Sequence, residues 1–257
     1  MFDPGWRIFG TICVHTWKKV ARRPIVLVFS LVQPLMWMIF FGFLFHRYPV
    51  QAGEDAVAYL DFLLPGVCVM TVLFGASQSG TGLIRDLQTG FLKRMLLTPA
   101  SPAALLAGKV SADVVRLLAQ GLVVALMGLA LGARLHPRFS ALAAALVLTA
   151  LFALGYASLS CWIALKTRSQ ETMGVFIQAL NMPLFFTSTA LVPKRHMPVW
   201  LAGIAAANPI SAVADGLRFA LLRIGEGVPW IQLAAGGACA FALFAVCLAE
   251  LGKARRL

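Results

Sequence analysis

The feature that most constrains this chain is a series of apolar runs without charge. Ile25 to Phe45 contains no Asp, Glu, Lys or Arg, and neither do Phe62 to Ile84, Phe139 to Leu165, Thr172 to Val192 and Pro229 to Ala249. About 20 apolar residues in a helix cross the hydrocarbon core of a bilayer, where the backbone must satisfy its own hydrogen bonds. Val110 to Ala133 adds a further run, with Asp113 and Arg116 near its start. The runs predict six transmembrane helices, at about 25–45, 62–84, 110–133, 139–165, 172–192 and 229–249. The expected fold class is an all-α membrane protein, with 1–257 forming a single transmembrane domain. Charged residues make up only 12% of the chain, about half the share of an average soluble domain.

The segments between the spans carry the distinguishing patterns. Before the first span, Trp6, Phe9, Cys13, Trp17 and Val20 form one helical stripe and Arg7, Thr11, Lys18 and Arg22 another. That pattern suits an interfacial helix in the headgroup layer within 1–24, or an ordinary cytoplasmic tail helix. Gln33-Pro34 predicts a kink in the first span, and a polar loop follows over His46–Tyr59. The second half of the second span, Gly75 to Gly82, is rich in small and hydroxyl residues, which permit close helix approach and hydrogen bonds across helices. The fifth span carries Gln178, Asn181 and Pro183. The five cysteines show no metal-ligand spacing, and buried small residues are their expected role. The first apolar run starts only at Ile25 and is too long for a signal-peptide core, so no cleavable signal is expected.

Residues 85–109 form the longest polar-containing interruption on the side read as cytoplasmic. Leu87, Phe91, Leu92, Met95 and Leu96 share one helical face, and Asp86, Thr89, Gly90, Lys93 and Arg94 the other. A Thr98-Pro99 break follows, and Ser101-Pro102 predicts the N-cap and first residue of a new helix. Such an amphipathic segment lies on a membrane surface or seats in a groove of a soluble partner. Residues 193–227 hold two short apolar helical pieces, Val199–Ala207 and Ile210–Arg223, separated by Asn208-Pro209. Each is too short to cross, and Asp215, Arg218 and Arg223 oppose deep lipid exposure, so re-entrant or interfacial helices are expected.

Orientation follows from the basic residues. With the N-terminus inside, six spans place both termini in the cytoplasm, with 15 of the 22 Lys and Arg on inner segments and 7 on outer ones. This obeys the positive-inside rule and accounts for the formal charge of +12 without nucleic acid. The expected location is the cytoplasmic (inner) membrane, with membrane lipids around the spans.

Chemistry of other kinds is missing from the pattern. The uncharged span cores contain no Asp, Glu, Lys, Arg or His, which disfavours a gradient-driven transporter. A membrane enzyme acting on lipids needs convergent acid, base or nucleophile groups, and no such set is evident. Gly75-Ala76-Ser77-Gln78-Ser79 lacks the last glycine of a nucleophile elbow, and the four histidines lie far apart in tails and loops. Gly108-Lys109 is not a phosphate-binding loop, because Val110 follows the Lys and no Gly stands five residues before Gly108. Energised work would therefore draw on a partner.

Two stretches carry a family resemblance. Gly90-Phe91-Leu92-Lys93-Arg94-Met95-Leu96-Leu97-Thr98-Pro99 is similar to the coupling region of type-2 ABC export permeases. Asn208-Pro209-Ile210-Ser211-Ala212-Val213-Ala214-Asp215-Gly216-Leu217-Arg218 resembles that family's Asn-Pro-Leu-Ser-x-x-x-Asp-x-Leu-Arg signature. Many relatives carry an acidic residue where Arg94 stands and an Arg at the position of Leu87. The resemblance spans essentially the whole chain and implies an ATP-driven exporter subunit for a hydrophobic, amphipathic or lipid-linked substrate. It implies a homodimer, or a heterodimer with a similar permease, bound to two ATPase subunits that hold ATP and Mg, with no cofactor on this chain. It assigns Arg85, Asp86, Thr89, Gly90, Lys93, Arg94 and Pro99 to ATPase coupling. Asn208, Pro209, Asp215 and Arg218 are candidates for an outer gate, and Asp215 with Arg218 equally reads as an i,i+3 pair. Trp37, Phe40, Phe41, Phe185 and Phe186 are candidates for a translocation path, or lipid-facing and packing residues.

Overall fold

A computed structural model describes residues 24–47, 50–52, 55–91, 94, 102–224 and 230–254. The elements in chain order are α1 (Pro24–Leu44), a hairpin of β1 (Val50–Ala52) and β2 (Asp55–Val57), α2 (Tyr59–Gln88), α3 (Pro102–Ala130), α4 (Phe139–Thr167), α5 (Gln170–Phe186), a 3₁₀ turn (Lys194–His196), α6 (Val199–Ala207), α7 (Pro209–Leu222) and α8 (Trp230–Ala254). The hairpin pairs antiparallel, with Val50 opposite Val57, inside the segment read as a polar loop. The N-terminal helix expected over residues 6–21 lies outside the described residues.

Helix α2 is the centre of the bundle. Twenty of its 30 residues are buried, including an unbroken run from Phe62 to Leu73. Such a helix, apolar on all sides, is stable only inside a ring of others, and α1, α3, α4, α5 and α7 all pack against it. The outer helices turn large apolar side chains outward: Phe40 on α1 is 60% exposed, Leu122 on α3 62% and Phe241 on α8 64%. In water these would be aggregation sites; in lipid they are the solvated surface.

Four helical segments are long and apolar enough to cross a membrane: Tyr59–Gln88, Pro102–Ala130, Phe139–Thr167 and Ala234–Gly252 within α8. The apolar segment Ser30–Leu44 of α1 is shorter, and α5 has 17 residues. Local chemistry explains where α5 stops, six residues before the expected 192. Pro183 removes a helical donor, Thr187 Oγ1 donates to the Pro183 carbonyl at 2.7 Å, and Ser188 Oγ donates to that of Phe185 at 2.6 Å. With its last carbonyls satisfied by hydroxyls, the chain leaves the helix at Thr187.

Elsewhere the boundaries follow the caps. Helix α3 begins at Pro102, as the Ser101-Pro102 pattern predicts. Ser169 Oγ accepts from the Thr172 N–H at the start of α5, and Asn208 Oδ1 accepts from the Ile210 N–H at the start of α7, both ordinary N-cap contacts. The two short helices expected between the last spans are present as α6 and α7. The end of α7 is tied to the α3–α4 turn, where the His136 and Arg138 N–H groups donate to the Leu221 and Ala220 carbonyls. One end of the bundle thus holds the hairpin and that turn. The other holds the ends of α2 and α4, where Lys166 pairs with Glu250 of α8 at 3.0 Å. Cys68, Cys161 and Cys247 are buried as expected, whereas Cys239 is exposed on α8.

Candidate functional site

The polar residues of the bundle fall into three groups at different depths. At the hairpin end stands Arg218, whose side chain is 3% exposed. Its Nη1 donates to Asp215 Oδ1 at 2.8 Å, Nη2 to the Ala190 carbonyl at 2.9 Å and Nε to the Phe62 carbonyl at 3.2 Å. The guanidinium also sits 3.7 Å from the centroid of the Phe62 ring. One side chain therefore joins α7, the α5–α6 loop and α2. Thr189 Oγ1 donates to Asp215 Oδ1 at 3.0 Å, the Thr189 N–H donates to Ser211 Oγ, and Tyr59 Oη donates to the Leu191 carbonyl at 3.1 Å. Asn208 adds Nδ2–H bonds to the Leu184 carbonyl and Thr187 Oγ1. Asp215 and Arg218 do form the i,i+3 pair, and the arginine goes well beyond it.

In the middle of the bundle, Asn181 on α5 is fully buried and joins three helices. Its Nδ2 donates to Ser77 Oγ of α2 at 2.8 Å, and its Oδ1 accepts from Tyr156 Oη of α4 at 2.6 Å. Below it, Ser160 Oγ donates to the Ser77 carbonyl at 2.5 Å and accepts from the Gly80 N–H at 3.1 Å. The small and hydroxyl residues of Gly75 to Gly82 thus serve as expected, letting α4 meet the α2 backbone.

The third group lies on α3. Lys109, Asp113, Arg116 and Gln120 are spaced 4, 3 and 4 residues apart, one face of a helix. Asp113 accepts from Lys109 Nζ at 3.1 Å and faces Arg116 Nε at 3.6 Å. Arg116 reaches the Gly75 carbonyl of α2 and Gln120 Oε1, and Gln120 Nε2 donates to Ser30 Oγ of α1 at 2.8 Å. Because α3 starts eight residues before the expected span, Asp113 lies about 16 Å along it and is 6% exposed. Ionisable residues are thus present inside an apolar helix, where they cross-link α1, α2 and α3. The 4-3-4 polar spacing was visible in the sequence as the signal for this stripe, but Ser30 was not, since it joins only through tertiary contact.

The residues assigned to coupling sit at the opposite end from Arg218. Arg85 and Asp86 lie in the last turn of α2, which continues to Gln88. The helix closes with the Thr89 N–H donating to the Arg85 carbonyl and with Gly90 at φ +69°, a left-handed conformation that glycine adopts without strain. The Arg94 N–H donates to the Gly90 carbonyl, and its guanidinium reaches back to the Thr89 and Gly90 carbonyls at 3.3 and 3.4 Å. A cation there complements the C-terminal dipole of α2. Gln170 Nε2 donates to Gln88 Oε1 at 2.7 Å, joining this corner to α5. Lys93 and Pro99 lie outside the described residues.

The aromatic candidates do cluster. Trp37 stacks on Phe41 at 5.0 Å between centroids and meets Phe185 edge-on at 5.7 Å and Phe186 at 6.1 Å. Their exposures differ: Phe185 is 1% exposed and belongs to the core, while Phe40 and Phe186 are 60% and 53% exposed on the outer surface.

Among the described residues no group of three His, Cys, Asp or Glu could hold a metal ion. The polar side chains are engaged in joining helices, and the fold and site define a polytopic helical membrane protein built around internal cross-links. A family model for the ABC-2 type transporter matches residues 7–222. The chain belongs to this family and is a transmembrane ABC transporter permease. It is 35% identical over 202 residues to the transport permease ycf38 of Cyanophora paradoxa, covering 78% of this chain and 69% of that one. It is 28% identical over 207 residues to a daunorubicin resistance ABC transporter permease protein, DrrB1, of Streptomyces coeruleorubidus, covering 79% and 72%. A doxorubicin resistance permease protein, DrrC, of Mycobacterium tuberculosis is 22% identical over 198 residues, covering 77% and 71%.

Proposed function

We propose that this permease exports a hydrophobic, amphipathic or lipid-linked substrate, driven by two copies of an ATPase subunit that bind ATP and Mg in its place. The full assembly has a second permease copy, with a homodimer as the simplest form. Six helices cross the cytoplasmic membrane, α1 to α5 and α8, while α6 and α7 enter only part-way. Residues 85–109 face the cytoplasm and carry the coupling helix. The relatives named for daunorubicin and doxorubicin resistance support an amphipathic cargo and outward movement.

The observation that carries this reading is the continuity of α2. This helix runs unbroken for 30 residues from the loop held by Arg218 to the turn capped by Arg94. A packed helix moves as a unit because close-packed interiors transmit displacement rather than absorb it. A push at the Gly90 turn is thereby delivered to the opposite end, where Asn208, Pro209, Asp215 and Arg218 stand.

Coupling is tested by reversing charge at Lys93 and Arg94. In K93E/R94E the co-purifying ATPase subunit is lost, or its substrate-stimulated hydrolysis falls by about tenfold. Unchanged co-purification and unchanged hydrolysis would sink the assignment of this turn to the ATPase contact.

A further inference from the structure

At the hairpin end a cavity of about 610 Å³ opens between α1, α2, α3 and the end of α7. Its volume falls within the usual range for small-molecule sites, about 300–1,000 Å³. The wall is apolar, with Met38, Phe43, Leu60 and Leu131 among its residues. Phe43 is 62% exposed and Arg134 is also exposed, so the cavity reaches the surface. The polar side chains lining it are concentrated in Arg134, His46, His136, Tyr59 and Asp61.

Two of these are already occupied. Tyr59 Oη donates to the Leu191 carbonyl. Asp61, 8% exposed in the first turn of α2, accepts the Arg134 N–H at 2.8 Å, and the positive end of the helix dipole further compensates it. The Arg134 guanidinium makes no ion pair or hydrogen bond among the described residues. The His46 ring is oriented by its Nδ1 contact to the Phe43 carbonyl at 3.0 Å, and His136 is fixed through its backbone bond to Leu221. The rim therefore offers one fixed positive charge and two imidazole rings with N–H groups available as donors, above an apolar wall.

We infer that this cavity binds an anionic amphiphile, with the phosphate or carboxylate head at Arg134, His46 and His136 and an alkyl segment against Met38, Leu60 and Leu131. Arginine favours oxyanions through its planar fork of donors, and the wall supplies the apolar burial that a free anion cannot use. A lipid of the surrounding leaflet and an anionic cargo share this chemistry.

The test uses the purified full-length permease in neutral detergent without ATP or ATPase, so its outcome is independent of the export reading. Native mass spectrometry reads binding of phosphatidylglycerol and of phosphatidylcholine. Phosphatidylglycerol binds more tightly, and H46A/R134A/H136A lowers its affinity by about tenfold or more, as expected for lost charge-assisted hydrogen bonds, without changing phosphatidylcholine binding. Leu131→Trp fills the wall, leaves the cationic rim in place and lowers phosphatidylglycerol binding as well. Monodisperse elution of each variant establishes that it is folded. Displacement by lysophosphatidylglycerol but not by inorganic phosphate supports the amphiphile. Equal binding of the two lipids, or displacement by inorganic phosphate alone, overturns it. If export assays then show the displacing anion to be cargo, the site belongs to the transport path; if anionic cargo fails to compete, its occupant is resident lipid.

Discussion

Arg218 and Phe62 are 156 residues apart, yet the Arg218 guanidinium both covers the Phe62 ring and donates to the Phe62 carbonyl. With the Ala190 carbonyl on Nη2 and Asp215 on Nη1, every face of this cation has a partner inside the protein. Asp215 is half exposed, so the backbone carbonyls and the ring, more than the ion pair, hold the arginine in place.

Replacing Arg218 with Ala removes a donor from the Ala190 and Phe62 carbonyls and uncovers the Phe62 ring, and is expected to destabilise the protein by about 1–3 kcal/mol. Arg218→Lys recovers little of this, because a single ammonium cannot span three elements. Thermal unfolding of purified protein in detergent checks the loss. Limited proteolysis within residues 187–198 checks that the loop is what loosens.

Gly66 tests the same junction from the opposite side. A Cβ at this position would overlap the Ala190 carbonyl, a backbone atom that cannot swing away. Gly66→Ala is therefore expected to displace the loop and cost about 1–3 kcal/mol. A melting temperature equal to wild type would show that the loop does not rest on α2.

Asp113 stands between two cations on α3. Asp113→Asn leaves Lys109 and Arg116 facing one another and is expected to destabilise by about 3 kcal/mol or more. Combining it with Lys109→Met restores part of the loss, because the uncompensated charge is reduced. A double-mutant cycle on unfolding free energy measures this coupling, and additive effects would rule the pairing out.

The orientation of the bundle is checked with single cysteines in a cysteine-free background. Asp55→Cys in the hairpin is expected to react with an impermeant maleimide on intact cells. Lys253→Cys, at the end of the bundle opposite the hairpin, reacts only after permeabilisation. The reverse pattern would invert the membrane orientation.

The helices were largely legible in the sequence because their signals are local. Uncharged runs located the long helices, and Ser101-Pro102 and Asn208-Pro209 located two starts; the single amphipathic helix read across Asp86 to Leu96 is instead interrupted, because Asp86 and Leu87 continue α2 to Gln88 and Gly90 is left-handed. Helix and span bounds were less so: α3 takes in the mostly apolar residues 102–109 ahead of the run read as the span, with Lys109 held by Asp113. The end of α5 is closed locally by the Thr187 and Ser188 hydroxyls, and Asn208 adds a bond to the Leu184 carbonyl from 24 positions away that the sequence does not reveal.

By itself the sequence determined that the chain is helical and apolar enough for a membrane, and it marked the polar interruption after α2 and the two short helices α6 and α7. Only the tertiary structure decided what the polar residues do. Arg218 read equally well as a gate or an intrahelical partner, because spacing along one helix reports only neighbours on that helix. Its bonds to Phe62 and Ala190, like those of Asn181 to Ser77 and Tyr156, arise when distant segments meet in a medium that offers no water to satisfy them. That enforced pairing of buried polar groups ties α2 to its neighbours.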